Sequence, residues 1–466
     1  MKEQDMLYGQ EIDFITNAYM HLIKNIILFK YDINSQPISL KSIKSHLFEN
    51  LNIIQYSDSA TGAIGDGVMV GTIRMGYGHH RMAYALYSNL LAMQKKVYLH
   101  DLLGIESNEA MAIKEIDGLY SHFSRMSSEW GGITEWLWGQ LTSKGNISSL
   151  KLSLLLAENY VNLISGISRN VPYLSTYPLN GQIAQFSGFK KVIHLVCDNY
   201  PQYYLLVPGA LNLVQSQSSY MKFIEMGVPK ESLFLAGHWV SHDILSNIAV
   251  DSVNRINRAK QKVPKRMLLA IGGAGAQKNY TSSLLEQTAD MLKNGNLSLM
   301  INTGDHKTIN DSLKEELTKL SIPFHEINSW EGMKEYCKEH DLSIEKSDKS
   351  PVTLFNFANY YEAFTATDIL IRCSDVLITK PSELAFYPVP KIFIRRVGDH
   401  EAASAFRSVE IGDGTTECRE PSHAVEMIKL FNEQNDIYIR MNDCIIRNDK
   451  YEIYSGAKKA AEMATN

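Results

Sequence analysis

GTIRMGYGHHRMAYAL, Gly71 to Leu86, joins a strand end, a glycine turn and a helix start in one short stretch. The apolar run Val68, Met69 and Val70 leads into it, and Gly76-Tyr77-Gly78 supplies the turn. His79 and His80 stand where the helix should begin. A helix N-terminus offers unpaired amide donors and a positive dipole end. Beside an imidazole, that arrangement suits anion binding or proton transfer. The plainer alternative is an ordinary strand-to-helix turn with surface histidines.

A chain of 466 residues is long enough for about two or three domains. It is 45% hydrophobic and 21% charged, which suits a globular fold. With 46 basic and 51 acidic residues, the net charge of −5 argues against nonspecific nucleic-acid binding as its main task. No apolar run reaches the roughly 20 residues of a membrane span, and the N-terminus has no signal-peptide pattern. Cys197, Cys337, Cys373, Cys418 and Cys444 form no CxxC pair, so neither a zinc knuckle nor a disulfide framework is suggested. A reducing, cytoplasmic compartment is the simplest expectation.

Residues 1–64 read as a helical preface, with Phe14, Ala18, Leu22, Ile26 and Phe29 at helical spacing. That stripe is expected to dock on a core, with an interfacial membrane helix as the alternative. Residues 65–250 alternate strand-like and helix-like segments, with strands expected at 67–73, 96–100, 192–197, 211–215 and 233–236. The polar stretch 247–265 reads as a connection between domains. Residues 265–450 repeat the alternation, with a charged surface insertion near 326–362, and 451–466 read as a C-terminal helix. The expected fold is α/β, with two Rossmann-like domains facing across a cleft; ligands bind at the carboxyl ends of such sheets.

Two further segments carry chemistry. Gly272 to Gln277, GGAGAQ, follows a strand and precedes a helix, so its amides can approach a diphosphate. It lacks the third glycine of a dinucleotide fingerprint and the GK[ST] of a P-loop. Ile378 to Ile394, ITKPSELAFYPVPKIFI, places Lys380, Ser382 and Glu383 after a strand end. An ionised Glu383 can accept hydrogen bonds from ribose hydroxyls; alternatively, Ser382 and Glu383 cap a short helix.

Taken in order, these segments resemble GT-B glycosyltransferases, in particular monogalactosyldiacylglycerol synthase, bacterial diacylglycerol glucosyltransferases and the lipid II N-acetylglucosaminyltransferase. The carrying segments are GYGHHRMAYAL, the run from Val192 through Asp198, Ser216 and Gly227–Pro229 to Val240, GGAGAQ, and ITKP through PVP. The resemblance spans about 66–430. It implies an inverting transfer of a sugar from a nucleotide-diphosphate donor, a UDP-sugar by analogy, to a hydroxyl acceptor that is lipid-linked in those families. It assigns His79 and Asp198 to catalysis and Gly76, Gly78, His80 and Tyr200 to the acceptor. Gly272, Gly273, Gly275, Ala276, Gly304, Lys380, Ser382 and Glu383 fall to the donor. His400 and Glu401 stand where the family has a later polar contact. The sequence departs from the pattern where Lys380-Pro381 runs directly into Ser382-Glu383 without the family's Gly-Gly, and where Pro388 replaces a glycine.

A histidine suits the base role because its ordinary pKa lies near neutrality. No Asp-x-Asp occurs in the chain, so metal-independent chemistry without a cofactor is expected, the nucleotide-sugar being substrate. Trp130, Trp136 and Trp138 are core or acceptor-pocket candidates, and His238 and His242 are expected as surface or capping groups at the hinge. Peripheral membrane contact enters through the lipid acceptor of the resembled families. Two rival readings are a nucleotide-sugar 2-epimerase of the same fold and a non-catalytic binding protein.

Overall fold

Strands buried on both faces read as continuous apolar runs, and such runs form two parallel sheets here. The computed structural model describes residues 6–34, 36–59, 64–115, 147–272, 278–343 and 350–466. The described residues fall into two units. The first takes them from Met1–Met75, Leu86–Ala236 and Lys458–Asn466, and the second from Gly76–Ala85 and Gly237–Ala457.

In the first unit, β1 (Met6–Leu7) and β2 (Gln10–Glu11) form a short antiparallel ladder. The main sheet comprises β3 (Leu40–Lys44), β4 (Leu51–Tyr56), β5 (Val68–Thr72), β6 (Val97–Asp101), β7 (Tyr173–Ser175), β8 (Val192–Leu195), β9 (Leu211–Val214) and β10 (Leu233–Leu235). Among the described residues its order is β10-β9-β8-β7-β5-β6-β4-β3. Only β3 runs antiparallel to its neighbour. Met69, Tyr173 and Ile183 lie in a core that the helices Ile147–Ala157 and Pro178–Phe186 help to close.

Two N-terminal expectations are corrected. Residues 40–56 are not helical: they supply β3 and β4, the edge of the main sheet. The helix Phe14–Lys30 does exist, capped by Asp13, whose carboxylate accepts from Thr16 N at 2.9 Å. Its packed face is Met20 with Ile23, whereas Phe14 is 85% and Phe29 91% exposed. The helix is apolar on more than one face, so periodicity alone did not say which face docks.

The second unit holds β11 (Lys265–Ala270), β12 (Leu297–Gly304), β13 (Phe324–Ile327), β14 (Val352–Asn356), β15 (Val376–Thr379), β16 (Lys391–Ile394) and β17 (Gly414–Cys418). They form an all-parallel sheet in the order β13-β14-β12-β11-β15-β16-β17. The expected surface insertion at 326–362 therefore contains β14, which pairs with both β12 and β13. β11 pairs with β12 on one side and β15 on the other, so the chain leaves it first one way and later the other. Such a reversal is the point of an open α/β sheet beside whose carboxyl strand ends ligands bind, here the ends of β11 and β15. Among the described residues, no helix is long and apolar enough to cross a membrane.

The expected connection at 247–265 is also corrected. It forms the helix Ile248–Lys260, which belongs to the second unit and buries arginines. Arg258 Nε and Nη2 each donate to Asp375 at 3.0 Å, Arg266 N donates to the same carboxylate at 2.8 Å, and Arg255 Nε donates to Ser374 O at 2.9 Å. A polar helix is stable here because its cations are matched by fixed acceptors. Replacing Arg258 by Ala leaves the buried Asp375 without its guanidinium and should destabilise the unit by about 3–5 kcal/mol in denaturant unfolding. A change below about 1 kcal/mol would mean that the pair contributes little.

Candidate functional site

The carboxyl ends of β11, β12 and β15 bring several of the expected donor residues together. Gly272 follows β11 and Lys380 follows β15; a Cβ placed on Gly272 would lie 3.3 Å from Lys380 Cε. Lys380 pairs with Glu401, which is 4% exposed at the start of the helix Glu401–Ile411 and also accepts from Val397 N at 2.7 Å. Ser382 and Glu383 follow in a tight turn, with Ser382 N donating to Lys380 O at 2.8 Å. Glu383 opens the short 3-10 turn Glu383–Phe386, but Ser382 makes no capping hydrogen bond to it through its side chain. His400 is exposed just before Glu401. Gly273, Gly275 and Ala276, like Trp130, Trp136 and Trp138, lie outside the described residues.

The first turn of the helix Gly78–Ala92 packs within this same unit. Arg81 is its anchor. Its Nη1 pairs with Glu383, and its Nη2 donates to Thr367 Oγ1 at 3.0 Å. Asn302 Nδ2 donates to the same Thr367 oxygen at 2.9 Å. Tyr77 lies under the guanidinium, with its ring centroid 5.3 Å from Arg81 Cζ. The Tyr77 hydroxyl donates to Asp305 and accepts from Asp305 N at 2.9 Å. Gly304 must be glycine here: its φ is +62°, and a Cβ would lie 2.2 Å from the Tyr77 hydroxyl. Tyr360 donates to Gly76 O at 2.7 Å, and Gly78 sits against the Glu383 carboxylate.

The expected acceptor group is divided. Gly76, Gly78, His79 and His80 belong to the second unit, and Asp198 and Tyr200 to the first. His79 is half-buried in the first helical turn. His80 is fully buried, edge-on to Tyr360 and Tyr361 and tilted against Phe364, so its ring is a packing group and does not present itself to an acceptor. In the first unit, half-buried Asp198 follows β8, and Tyr200 is 38% exposed beside it. Asn199, between them, accepts from Ser216 Oγ at 2.6 Å, while Ser216 caps the helix Gln217–Glu225. His238 is no surface group: it is fully buried, bonded to Phe386 O at 2.9 Å, and held well below its usual pKa by burial and by Arg407.

Two carboxyls near Arg81 are driven in opposite directions. Burial raises the Glu383 pKa, but the charges of Arg81 and Lys380 with a Ser382 hydrogen bond outweigh it and hold it at about 2. Asp368 follows Thr367 on the helix Tyr360–Arg372. There burial prevails over Ser241, Arg81 and Tyr387, whose hydroxyl donates at 3.1 Å, and lifts the Asp368 pKa to about 7. Groups held apart in this way keep one acid ionised and one partly protonated near neutrality. Sequence reasoning missed Arg81, Tyr77, Thr367, Asn302 and Asp368; their only sequence signal was Arg81 and Tyr77 flanking the paired histidines.

The shift of Asp368 has a definite sign. The folded state holds its proton up to about pH 7, whereas the unfolded chain releases it near 3.8. Stability should therefore fall as pH rises through that window, and Asp368→Asn should remove that slope. The variant is expected to gain on the order of 4 kcal/mol relative to wild type by pH 8, read from unfolding midpoints between pH 4 and 8. Parallel pH profiles for the two proteins would refute the assignment.

Solved structures similar to this chain include the S. aureus MnaA–UDP co-structure, at 12% identity over 85% of this chain and 94% of that one, with a TM-score of 0.47. UDP-GlcNAc 2-epimerase from Neisseria meningitidis bound to UDP-GlcNAc matches at 10% identity over 85% and 98%, with a TM-score of 0.46. Anabaena HepE in complex with UDP matches at 10% identity over 85% and 99%, with a TM-score of 0.41. No curated protein matches. The family model described as "Domain of unknown function (DUF6937)" matches residues 8–225. That described as "Domain of unknown function (DUF6938)" matches residues 228–465, just over half of the 466 residues, and the chain belongs to this DUF6938 family.

Proposed function

We propose that this protein is a glycosyltransferase that binds a nucleotide-diphosphate sugar at the carboxyl end of the second unit's sheet and moves the sugar to a hydroxyl acceptor with inversion. The observation that carries this reading is the approach of Lys380 to Gly272 at the carboxyl ends of the paired strands β11 and β15. A glycine there leaves room for a phosphate to approach the backbone, and the Lys380 ammonium supplies charge. Lys380 is paired with Glu401 in this structure, so an incoming diphosphate competes with a carboxylate for it.

Glu383 takes the ribose. A carboxylate has about four acceptor sites, so it can receive hydroxyls beside its Arg81 and Ser382 partners. His79, half-buried on the first turn of its helix, is the base for the acceptor hydroxyl. Asp198, after β8 in the first unit, is the second catalytic group that the resemblance implies. The departing diphosphate is stabilised by Lys380 and by the amides after β11. UDP is the donor nucleotide implied by the resemblance, and no resident metal or cofactor is required by this scheme. A lipid-linked acceptor would bring the chain to a bilayer, and the exposed Phe14, Leu22, Ile26 and Phe29 offer an apolar face for that contact. The Arg81–Glu383 pair also favours a second reading, a nucleotide-binding protein without transferase activity, because it already occupies one carboxylate oxygen.

Titration calorimetry with UDP, GDP, ADP and TDP, in the presence of a chelator, tests the donor site. Wild type should bind UDP selectively, and Lys380→Ala and Glu383→Ala should each weaken binding by about tenfold or more. His79→Ala should retain binding and lose about two to four powers of ten in turnover. Failure of the folded wild type to bind any of the four nucleotides would sink the proposal. Binding with no transfer to any screened acceptor would select the non-catalytic reading.

A further inference from the structure

Cys337 and Cys373 are far apart in sequence, yet their sulfurs lie 3.3 Å apart. Cys337 is on the helix Trp330–Glu339, and Cys373 ends the helix Tyr360–Arg372. The meeting is built into the core. Arg266, fully buried on β11, donates through Nη1 to His340 O at 2.6 Å and to Cys373 O at 2.9 Å. One guanidinium thus ties the ends of the two helices that carry the thiols. Arg372 fixes the second helix end again through Asp251, at 3.1 Å.

The pair is also reachable. Both cysteines line an open cavity of about 300 Å³, with Tyr84, Lys338 and Arg372 among its other walls. Cys337 is half-buried, whereas Cys373 is buried. A disulfide has an S–S length of about 2.05 Å, so the sulfurs need to approach by little more than about 1 Å from their 3.3 Å separation.

We infer that Cys337 and Cys373 form a redox-responsive dithiol, oxidised to an intramolecular disulfide by a low-molecular-weight disulfide entering this cavity. The Cys337 thiolate attacks one sulfur of the small disulfide, making a mixed disulfide and expelling one thiolate. The Cys373 thiolate then attacks the Cys337 sulfur, forming the internal S–S bond and expelling the second. The small disulfide gains the two electrons that the protein thiols lose, and the two thiol protons pass to the departing thiolates through solvent. The resulting bond staples the helix Trp330–Glu339 to the helix whose Thr367 holds Arg81. Contact with Cys373 and burial push the Cys337 thiol well above its ordinary pKa, so the exchange is slow at neutral pH.

The test uses the full chain, reduced and then incubated overnight at about pH 8.5 with oxidised glutathione, followed by alkylation and peptide mass spectrometry. The expected product is about 2 Da lighter than the reduced protein and carries a Cys337–Cys373 link that dithiothreitol reverses. Its Tm should rise by about 5 °C. Cys373→Ser should instead stop at a glutathione adduct on Cys337. A folded wild-type protein that ends with both thiols free, or with a stable glutathione adduct on Cys337, would overturn the inference. So would a link joining either cysteine to Cys197, Cys418 or Cys444.

Discussion

A buried guanidinium is tolerated only where its charge is matched, and Arg81, 3% exposed, imposes that condition on the second unit. Two of its partners lie far from it in the chain, and the third is local. Glu383 follows β15, Thr367 lies on the helix Tyr360–Arg372, and Tyr77 precedes Arg81 by one turn. Thr367 in turn is fixed by Asn302 near the end of β12. Meeting the needs of this one side chain therefore determines where the segment Gly76–Ala85 packs and how the ends of β12 and β15 are dressed.

The same charge organises the chemistry around it. Arg81 and Lys380 keep Glu383 ionised, although burial opposes this. Asp368, one residue beyond Thr367, faces Tyr387 in a drier setting and retains its proton to near neutrality. Charge held in pairs beside the carboxyl ends of β11 and β15 gives the site its character: two cations, each already matched by a carboxylate. A phosphate ligand would exchange partners with those carboxylates, so affinity there depends on the difference between two ion pairings rather than on a bare cation.

Much of the sheet architecture was legible because parallel strands buried on both faces leave a local mark. VMVGT and KRMLLA stand out as short runs between turn signals, and β5 and β11 form there. β14 was hidden because VTLFN lies beside a charged stretch, and β7 because its three residues are too few to show a pattern. Burial of Arg258 and Arg266 inverted the usual meaning of a polar segment. The order of strands, which places β15 beside β11 and β14 beside β12, has no local trace at all.

The candidate site divides along the same line. Glycines and a lysine at strand ends are local features, and Gly272, Lys380 and Glu383 could be named from the turns they occupy, whereas Gly304 came only with the family resemblance. The sequence by itself determined that two parallel α/β sheets would form and which loops would stand at their carboxyl ends, because these depend on side chains a few residues apart. Only the tertiary structure decided that His80 would be a core ring, that Arg81 would claim Glu383, and that Cys337 would meet Cys373. Those pairings join residues distant in the chain, and their free energy comes from burial and charge matching that exist only once the sheet has brought its edges and helices together.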